Sequence, residues 1–376
     1  MLLFLVCAGC ILYVLAGYPV ALGFLARRRR RPVRKGLELP TVSVIIPVHN
    51  GCRFVEKKLE SVLALDYPRE LLEVIVVADG CTDETETLVQ RFRHGPLRLI
   101  SIPRSGKPAA LNAGVSCASG EVLLMTDVRQ QLHPESLRKM AACFEDSEVG
   151  VVSGTLVFRE GTSQDEADIR LYWRYESWIR EKLSEIDSMF GATGPFYAIR
   201  RNLFVPLPDD ILLDDVYLPM MAFLRGYRLI VEPAARATDY PMTSAREFAR
   251  KVRTLGGNYQ LMLRLPVLLT RRNRLLWHFL SYKFGRLLLP WLLTVMLATS
   301  FLFPGPWSTI LVCMQISFYL LAALDPKVPQ DIFLKRISSP SHTFVMLMAA
   351  TVRGLLVLFV PARTLWKVTD IGSLDS

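Results

Sequence analysis

The first 26 residues, Met1 to Ala26, carry no charged side chain and run directly into Arg27, Arg28, Arg29, Arg30 and Arg31. About 20 apolar residues at roughly 1.5 Å rise per residue suffice to cross the hydrocarbon core of a bilayer, so this stretch predicts a membrane-spanning helix. A secretory signal peptide would place its charge before the apolar run and a small-residue cleavage site after it. Here the charge follows, which favours an uncleaved span over a signal peptide. Arginines beside a span stay on the cytoplasmic side, which puts the N-terminus outside and everything after Arg27 in the cytoplasm. Composition agrees, since 51% hydrophobic and 21% charged residues make the chain too apolar for an ordinary soluble protein.

The net charge of +10 needs no nucleic acid to explain it. Much of it flanks apolar stretches, where Lys and Arg set orientation and meet anionic lipid headgroups. No basic stripe with interleaved stacking aromatics marks a nucleic-acid partner. Of seven cysteines, Cys7, Cys10 and Cys313 fall in apolar runs and Cys52, Cys81, Cys117 and Cys143 in the expected cytoplasmic part. Their scatter predicts reduced thiols and offers no zinc-ligand spacing.

From about Leu39 to Asn258 short β-rich runs alternate with helix-period segments, the pattern of an α/β layer fold. The expected strands are Val42–Ile46, Glu73–Val77, Arg98–Ile102, Glu121–Met125, Gly150–Phe158 and Arg228–Glu232. Val55, Leu59, Val62 and Leu63 recur at helical spacing between the first two, and Thr85, Leu88, Val89 and Phe92 between the next two. Such a βαβαβ opening requires parallel strands, and ligands of parallel sheets sit beyond the strands' carboxyl ends. Residues 27–38 read as a basic cytoplasmic linker, 259–285 as an amphipathic segment in the headgroup plane, 286–361 as about three further membrane segments, and 362–376 as a tail. The late apolar stretches are Leu287–Phe303, Trp307–Leu324 and Phe344–Val360. The last carries Arg353, costly in lipid unless it faces protein or water, so a re-entrant course stays open for it. Three full spans would bring the tail out on the external side, the side favoured by the count, although Arg363 and Lys367 favour the inside. No inverted repeat marks a transporter.

Candidate chemistry clusters just past the expected strands. Pro47 to Asn50 follow the first. The second runs into Asp79 and Gly80, where a carboxylate can accept from a base or ribose, and into Asp83, which reads as a helix cap before a ligand. Gly106–Gly114 offers Lys107 and a helix start to a diphosphate. The strand at Glu121–Met125 leads to Asp127 and Arg129. Further on come the small residues Gly191, Thr193 and Gly194, the adjacent acids Asp214 and Asp215 before a helix, and Arg250 to Arg253 on a basic helical face.

The order of Pro47–Asn50, Asp79–Asp83, Gly106–Gly114, Asp127, Gly191–Arg201, Asp214–Asp215 and Arg250–Arg253 resembles that of the inverting, processive-type family-2 glycosyltransferases. The likeness covers about Leu39 to Gly257. That family includes cellulose, chitin, hyaluronan and poly-N-acetylglucosamine synthases and related lipid glycosyltransferases. The resemblance implies a GT-A-type, Rossmann-like α/β cytoplasmic domain with flanking transmembrane helices, in the cell membrane (the inner membrane of a bacterium). It implies donor contacts at Pro47, Asn50, Asp79, Lys107, Asp127, Arg129, Arg250 and Arg253, and acceptor contacts at Gly191, Thr193 and Gly194. Asp215 is then the general base, with Asp214 beside it.

Two positions depart from the family's pattern. Its Asp-x-Asp site has an acid where this chain has Arg129. An arginine repels Mg²⁺ or Mn²⁺ yet can itself neutralise a leaving diphosphate, so a divalent ion on Asp127 stays open at this point. Thr254 stands where the family commonly has the tryptophan that helps hold the acceptor's terminal sugar. The resemblance as modified by these departures implies transfer of a hexose or N-acetylhexosamine from a nucleotide-diphosphate sugar, UDP-linked first, to a lipid-linked or membrane-proximal acceptor, one or a few sugars at a time. The alternatives are a processive polysaccharide synthase coupled to export, with oligomers assembling the channel, and a non-catalytic sugar-nucleotide-binding subunit.

Overall fold

The computed structural model describes residues 1–92, 95–158, 164–239, 244–330, 332–361 and 364. Within these residues the chain forms two compact units, one built on a sheet from residues 29–158 and 180–239, the other helical from residues 1–28, 164–179 and 244–361.

In the sheet unit eight strands lie in the order β3-β2-β1-β4-β7-β6-β8-β5. They are β1 (Val42–Val48), β2 (Leu72–Asp79), β3 (Leu97–Ile102), β4 (Val122–Thr126), β5 (Gln131–Leu132), β6 (Val149–Phe158), β7 (Phe196–Arg200) and β8 (Arg228–Asp239). β1 runs parallel to both β2 and β4, with Val44 opposite Val74 on one side and Leu124 on the other, and β3 extends the parallel set. A central parallel strand must be apolar on both faces, and Val42, Val44, Ile45 and Ile46 are all fully buried. α2 (Cys52–Leu63) covers one face through Val55, Leu59 and Val62, three of the four residues read from the sequence, with Phe54 buried in place of Leu63. α4 (Lys107–Ser116) covers the other at Gly114, where a Cβ would stand 2.7 Å from Ile45.

All six expected strands are present, and the opening three are parallel as the βαβαβ pattern requires. β7 enters antiparallel between β4 and β6, so the sheet is mixed and Rossmann-like. β8 outruns its expected end at Glu232 by seven residues because Arg236 to Asp239 pair with Thr155 to Phe158 beyond a register shift. Residues expected as a linker are strapped to this unit. Arg31 reaches Glu148 at 2.5 Å and Asp187 at 3.1 Å, and Lys35 reaches Glu232 at 2.5 Å.

In the helical unit three helices are, among the described residues, long and apolar enough to cross a membrane: Leu2–Arg28, Pro306–Lys327 and Lys335–Leu358. The expected stretch at Leu287–Phe303 lies mostly on a shorter helix, Gly285–Ser300, which contains Pro290 and is buried through Leu287 and Leu289. Arg353 is exposed in the last turn of Lys335–Gly354 rather than at its middle. The next residue, Gly354, packs where a Cβ would stand 2.8 Å from the Gly256 nitrogen, so two helix backbones meet there. The segment expected to lie in the headgroup plane is not one helix. It leaves α8 (Ser244–Arg264), turns at Pro266–Leu269 and resumes at Leu276–Phe279, since proline cannot continue the hydrogen-bond ladder. The tail, with Arg363 and Lys367, lies outside the described residues.

Candidate active site

Three parallel strand ends and one antiparallel start converge on the site. β1 passes through Pro47, ends at Val48 and leads to Asn50, which holds a left-handed backbone, φ 48°, and exchanges bonds with Thr82: its Nδ2 donates at 3.1 Å and its Oδ1 accepts from the Thr82 N–H at 2.8 Å. His49 Nδ1 donates to the Asp79 carbonyl at 2.8 Å. Asp83 accepts the backbone N–H groups of Cys52 and Thr85, both at 3.1 Å, and so joins the starts of two helices, although the N-cap of the helix Thr85–Gln90 is Glu84 and not Asp83 as expected.

Asp79, expected at the nucleotide base, is 2% exposed. Its carboxylate takes the guanidinium of Arg104 and the N–H groups of Ser105 at 2.6 Å and Gly106 at 3.0 Å. In this state it organises the loop that delivers Lys107. Gly80 makes the wrap feasible, since at φ 61° a Cβ would stand 2.7 Å from the Arg104 nitrogen.

Lys107 opens α4 and its ammonium bridges two acids, Asp127 Oδ1 at 3.0 Å and Asp214 Oδ1 at 3.3 Å. Burial works against its charge, but Asp127, Asp214 and Asp215 outweigh that and hold the ammonium above the ordinary lysine range. Asp214 is 4% exposed and its Oδ2 has no hydrogen-bond partner among the described residues. Asp214 and Asp215 form the first turn of α7 (Asp214–Leu224), where the helix dipole favours negative charge. The Asp215 carbonyl accepts the Ala192 N–H at 2.7 Å, which ties the small-residue loop to the acids. Gly194 lies so close that a Cβ would stand 2.7 Å from Asp215 Oδ2, and Gly191, at φ 114°, packs on Val216 in the same way. Thr193 is turned inward, with its N–H on Ser153 Oγ at 2.9 Å, and Arg180 donates to that same oxygen at 3.2 Å.

Arg129 leaves Asp127 to bond Asp239, Nη2 to Oδ2 at 2.8 Å. Beneath them lies Lys58, 1% exposed, donating to Thr126 Oγ1 at 2.6 Å and to the Gln130 carbonyl at 2.8 Å. Burial holds its ammonium down to about 7, partly offset by Asp127. Tyr197 on β7 is fully buried, with no hydrogen-bond partner for its hydroxyl among the described residues. Burial first, then Asp214, Asp215 and Asp127, push its phenol far above the ordinary tyrosine range, so it stays a neutral donor.

Arg250 and Arg253 belong to the helical unit, on α8. Arg250 donates to Glu247 at 2.8 and 2.7 Å and lies over the Trp173 ring at 5.0 Å, while Arg253 is half-buried one turn on. Thr254 Oγ1 donates back to the Arg250 carbonyl at 2.9 Å, so its hydroxyl serves its own helix. The grouping in the sheet unit thus comprises Pro47, Asn50, Asp79, Lys107, Asp127, Arg129, Gly191, Thr193, Gly194, Asp214 and Asp215. Sequence reading did not single out Lys58, Arg104, Tyr197 or Asp239. Lys58 was detectable as a lysine within the apolar stripe of α2, whereas Asp239 lay beyond the expected end of its strand.

Residues 43–205 match the profile described as "Glycosyl transferase family 2". The chain carries a glycosyl transferase family 2 domain over those residues. The matched stretch holds Asp79, Lys107, Asp127 and the Gly191 loop and ends before Asp214. Among curated relatives, the probable glycosyltransferase YdaM of Bacillus subtilis is 28% identical over 60% of this chain and 57% of its own length. Glycosyltransferase AglE of Haloferax volcanii is 31% identical over 51% of this chain and 64% of its own. The chain therefore spans less than two thirds of either. Among solved structures, the mannosyltransferase PcManGT from Pyrobaculum calidifontis, in complex with GDP-Man and Mn²⁺, superposes with a TM-score of 0.70 at 22% identity, covering 93% of this chain and 99% of that one. The fold of the sheet unit is the GT-A type that the sequence resemblance implied.

A divalent ion of the kind held by that neighbour does not fit the residues found here. Arg129 occupies the second acidic position and engages Asp239, and the Lys107 ammonium already lies against Asp127. Among the described residues no three His, Cys, Asp or Glu side chains converge as a metal site requires.

Proposed function

We propose that this chain is an inverting glycosyltransferase that moves a hexose or N-acetylhexosamine from a nucleotide-diphosphate sugar, UDP-linked first, to a lipid-linked or membrane-proximal acceptor. The observation that carries the reading is the placement of Lys107 between Asp127 and Asp214, beside an acid, Asp215, whose carboxylate lies on the backbone of Gly194. A cation beside the leaving diphosphate and a carboxylate beside a small-residue surface are the two halves that a direct displacement needs.

In that reaction Asp215 takes the proton of the acceptor hydroxyl. The oxygen's electron pair forms the new bond to the anomeric carbon as the bond to the diphosphate breaks, and that bond's electrons depart with the nucleotide diphosphate from the opposite face. Lys107 and Arg129 receive the growing phosphate charge; no step passes through a metal. The small residues Gly191 and Gly194 let a sugar approach the backbone, Pro47, Asn50 and Asp79 shape the nucleotide side, and Asp214 holds Lys107 in place. Three helices able to cross a bilayer support a membrane-bound acceptor, and the Arg27–Arg31 flank supports a cytoplasmic catalytic domain. Thr254, bonded into its own helix, supports short products over a held polymer. The test is to supply the purified protein and its native membranes with a panel of labelled nucleotide sugars. Lipid-extractable products bearing one to a few sugars are expected. A high-mass polymer would overturn the acceptor assignment, and absence of both transfer and donor hydrolysis across the panel would overturn the activity.

A further inference from the structure

Lys58 is the most unusual buried charge in the sheet unit. It occupies the apolar stripe of α2 between Val55 and Leu59, both fully buried, where Leu or Met would satisfy the packing without bringing a charge out of water. Its ammonium is committed to two acceptors, Thr126 Oγ1 at 2.6 Å and the Gln130 carbonyl at 2.8 Å. These residues bracket Asp127, Val128 and Arg129, so one group ties together both ends of the turn that bears the donor-side charges. The bond is passed on, because the Thr126 hydroxyl donates to the Pro195 carbonyl at 2.9 Å, which the Asp127 N–H also reaches at 3.3 Å. Pro195 follows Gly194, whose α-carbon abuts the Asp215 carboxylate. A hydrogen-bonded chain therefore runs from α2, through the donor turn, to the loop that sets the general base.

We infer that Lys58 is a positioning residue, and that the Lys58–Thr126–Pro195 chain fixes the donor turn and the acceptor loop in one register for transfer. The inference rests on the activity proposed above. Neither side chain is required to touch substrate. A misplacement of about 1 Å at a reacting pair costs on the order of 100-fold in rate, so loosening this chain should show in turnover before it shows in nucleotide affinity.

The experiment compares the full-length protein with Lys58→Met, Thr126→Val, Thr126→Ser and the Lys58→Met/Thr126→Val double variant. It measures turnover and donor KM, affinity for UDP and GDP, melting temperature, and backbone hydrogen exchange across residues 126–131 and 191–196. Lys58→Met and Thr126→Val should lower kcat by about 10- to 100-fold while nucleotide affinity stays within about threefold. Thr126→Ser, which keeps the hydroxyl, should restore most of kcat, and the double variant should be no worse than the worse single. Exchange should quicken in both segments together. The inference is overturned if Thr126→Val turns over like the wild type, if the two substitutions add, if kcat falls only with the folded fraction, or if exchange quickens in 126–131 alone. Because exchange reads coupling without turnover, a wild-type protein that transfers no sugar would remove the proposed activity and leave coupled exchange standing as a separate result.

Discussion

Replacing Lys107 by methionine keeps the length and packing of the side chain and removes the charge that Asp127 and Asp214 share. The two ends of the bridge are unequal. The Asp127 side chain is 37% exposed and water can take over its solvation, whereas that of Asp214 is 6% exposed and its Oδ2 already lacks a hydrogen-bond partner among the described residues. Stripping one partner from a buried pair costs about 3–5 kcal/mol because a charge is left uncompensated in a poorly solvated place. Counting only the Asp214 end, and allowing for the 24% exposure of Lys107, the low end of that range, about 3 kcal/mol, applies. At roughly 2–4 °C per kcal/mol for a domain of this size, the melting transition should fall by about 6–12 °C. Lys107→Met/Asp214→Asn, which removes the stranded charge as well, should recover most of that loss, so the two substitutions are strongly non-additive. Melting curves of the four proteins in one detergent, with affinity for UDP and GDP measured alongside, decide the point. A Lys107→Met protein melting within about 2 °C of wild type, or a double variant no better than the single, would refute the bridge as the organising charge of the site.

Gly194→Ala places a methyl 2.7 Å from Asp215 Oδ2; steady-state kinetics should show kcat lowered by about 10- to 100-fold with nucleotide affinity kept, and unchanged kcat would show that this carboxylate does not depend on the loop. With Arg129 holding Asp239 in place of a second acidic ligand, affinity for UDP or GDP and sugar transfer should both survive excess EDTA; loss of binding on chelation, restored by Mn²⁺, would contradict the cationic reading. Lys58, held down to about 7 in the folded chain, returns to about 10.4 on unfolding. The unfolded state then binds the extra proton between those values, and stability should rise with pH through that window. Thermal melts between about pH 7 and 9.5 should lose this slope in Lys58→Met, and identical slopes would count against the depressed ammonium.

The parallel half of the sheet was legible because its strands are buried on both faces and read as apolar runs, Val42 to Ile46, broken only by Ser43, and Val74 to Ala78 above all. β5 was not, since two residues carry no period, and the far half of β8 was hidden because Glu232, Arg236 and Asp239 break its apolar pattern while serving ion pairs and the sheet edge. Of the residues that motif order singled out, the structure places Lys107 against Asp127 and Asp214, and Gly194 against Asp215. What order could not convey is which charge meets which. The occupation of Asp79 by Arg104 and the following backbone depends on a loop conformation at Gly80 and Gly106. The pairing of Arg129 with Asp239 joins residues 110 apart in the chain. Lys58 was visible as an oddity of the α2 stripe, but its partners are set by the turn beneath it. In the helical unit, hydropathy did not show that the Leu287–Phe303 stretch would lie on a helix ending at Ser300, or that Arg353 would fall in the last turn of Lys335–Gly354, because helix ends are not written in hydropathy.

The central claim is that Asp215 is the base of a sugar transfer whose donor is held independently of it. Asp215→Asn preserves shape and hydrogen-bonding capacity while removing proton affinity, so the direct measurement is donor turnover, as sugar transfer plus hydrolysis, for this variant and the wild type with the preferred nucleotide sugar, together with donor affinity by calorimetry. Loss of a positioned general base costs about 10²- to 10⁴-fold. The account predicts a loss of that size in turnover with donor affinity unchanged within about threefold, and an Asp215→Asn protein that keeps turnover within about tenfold of wild type would contradict it.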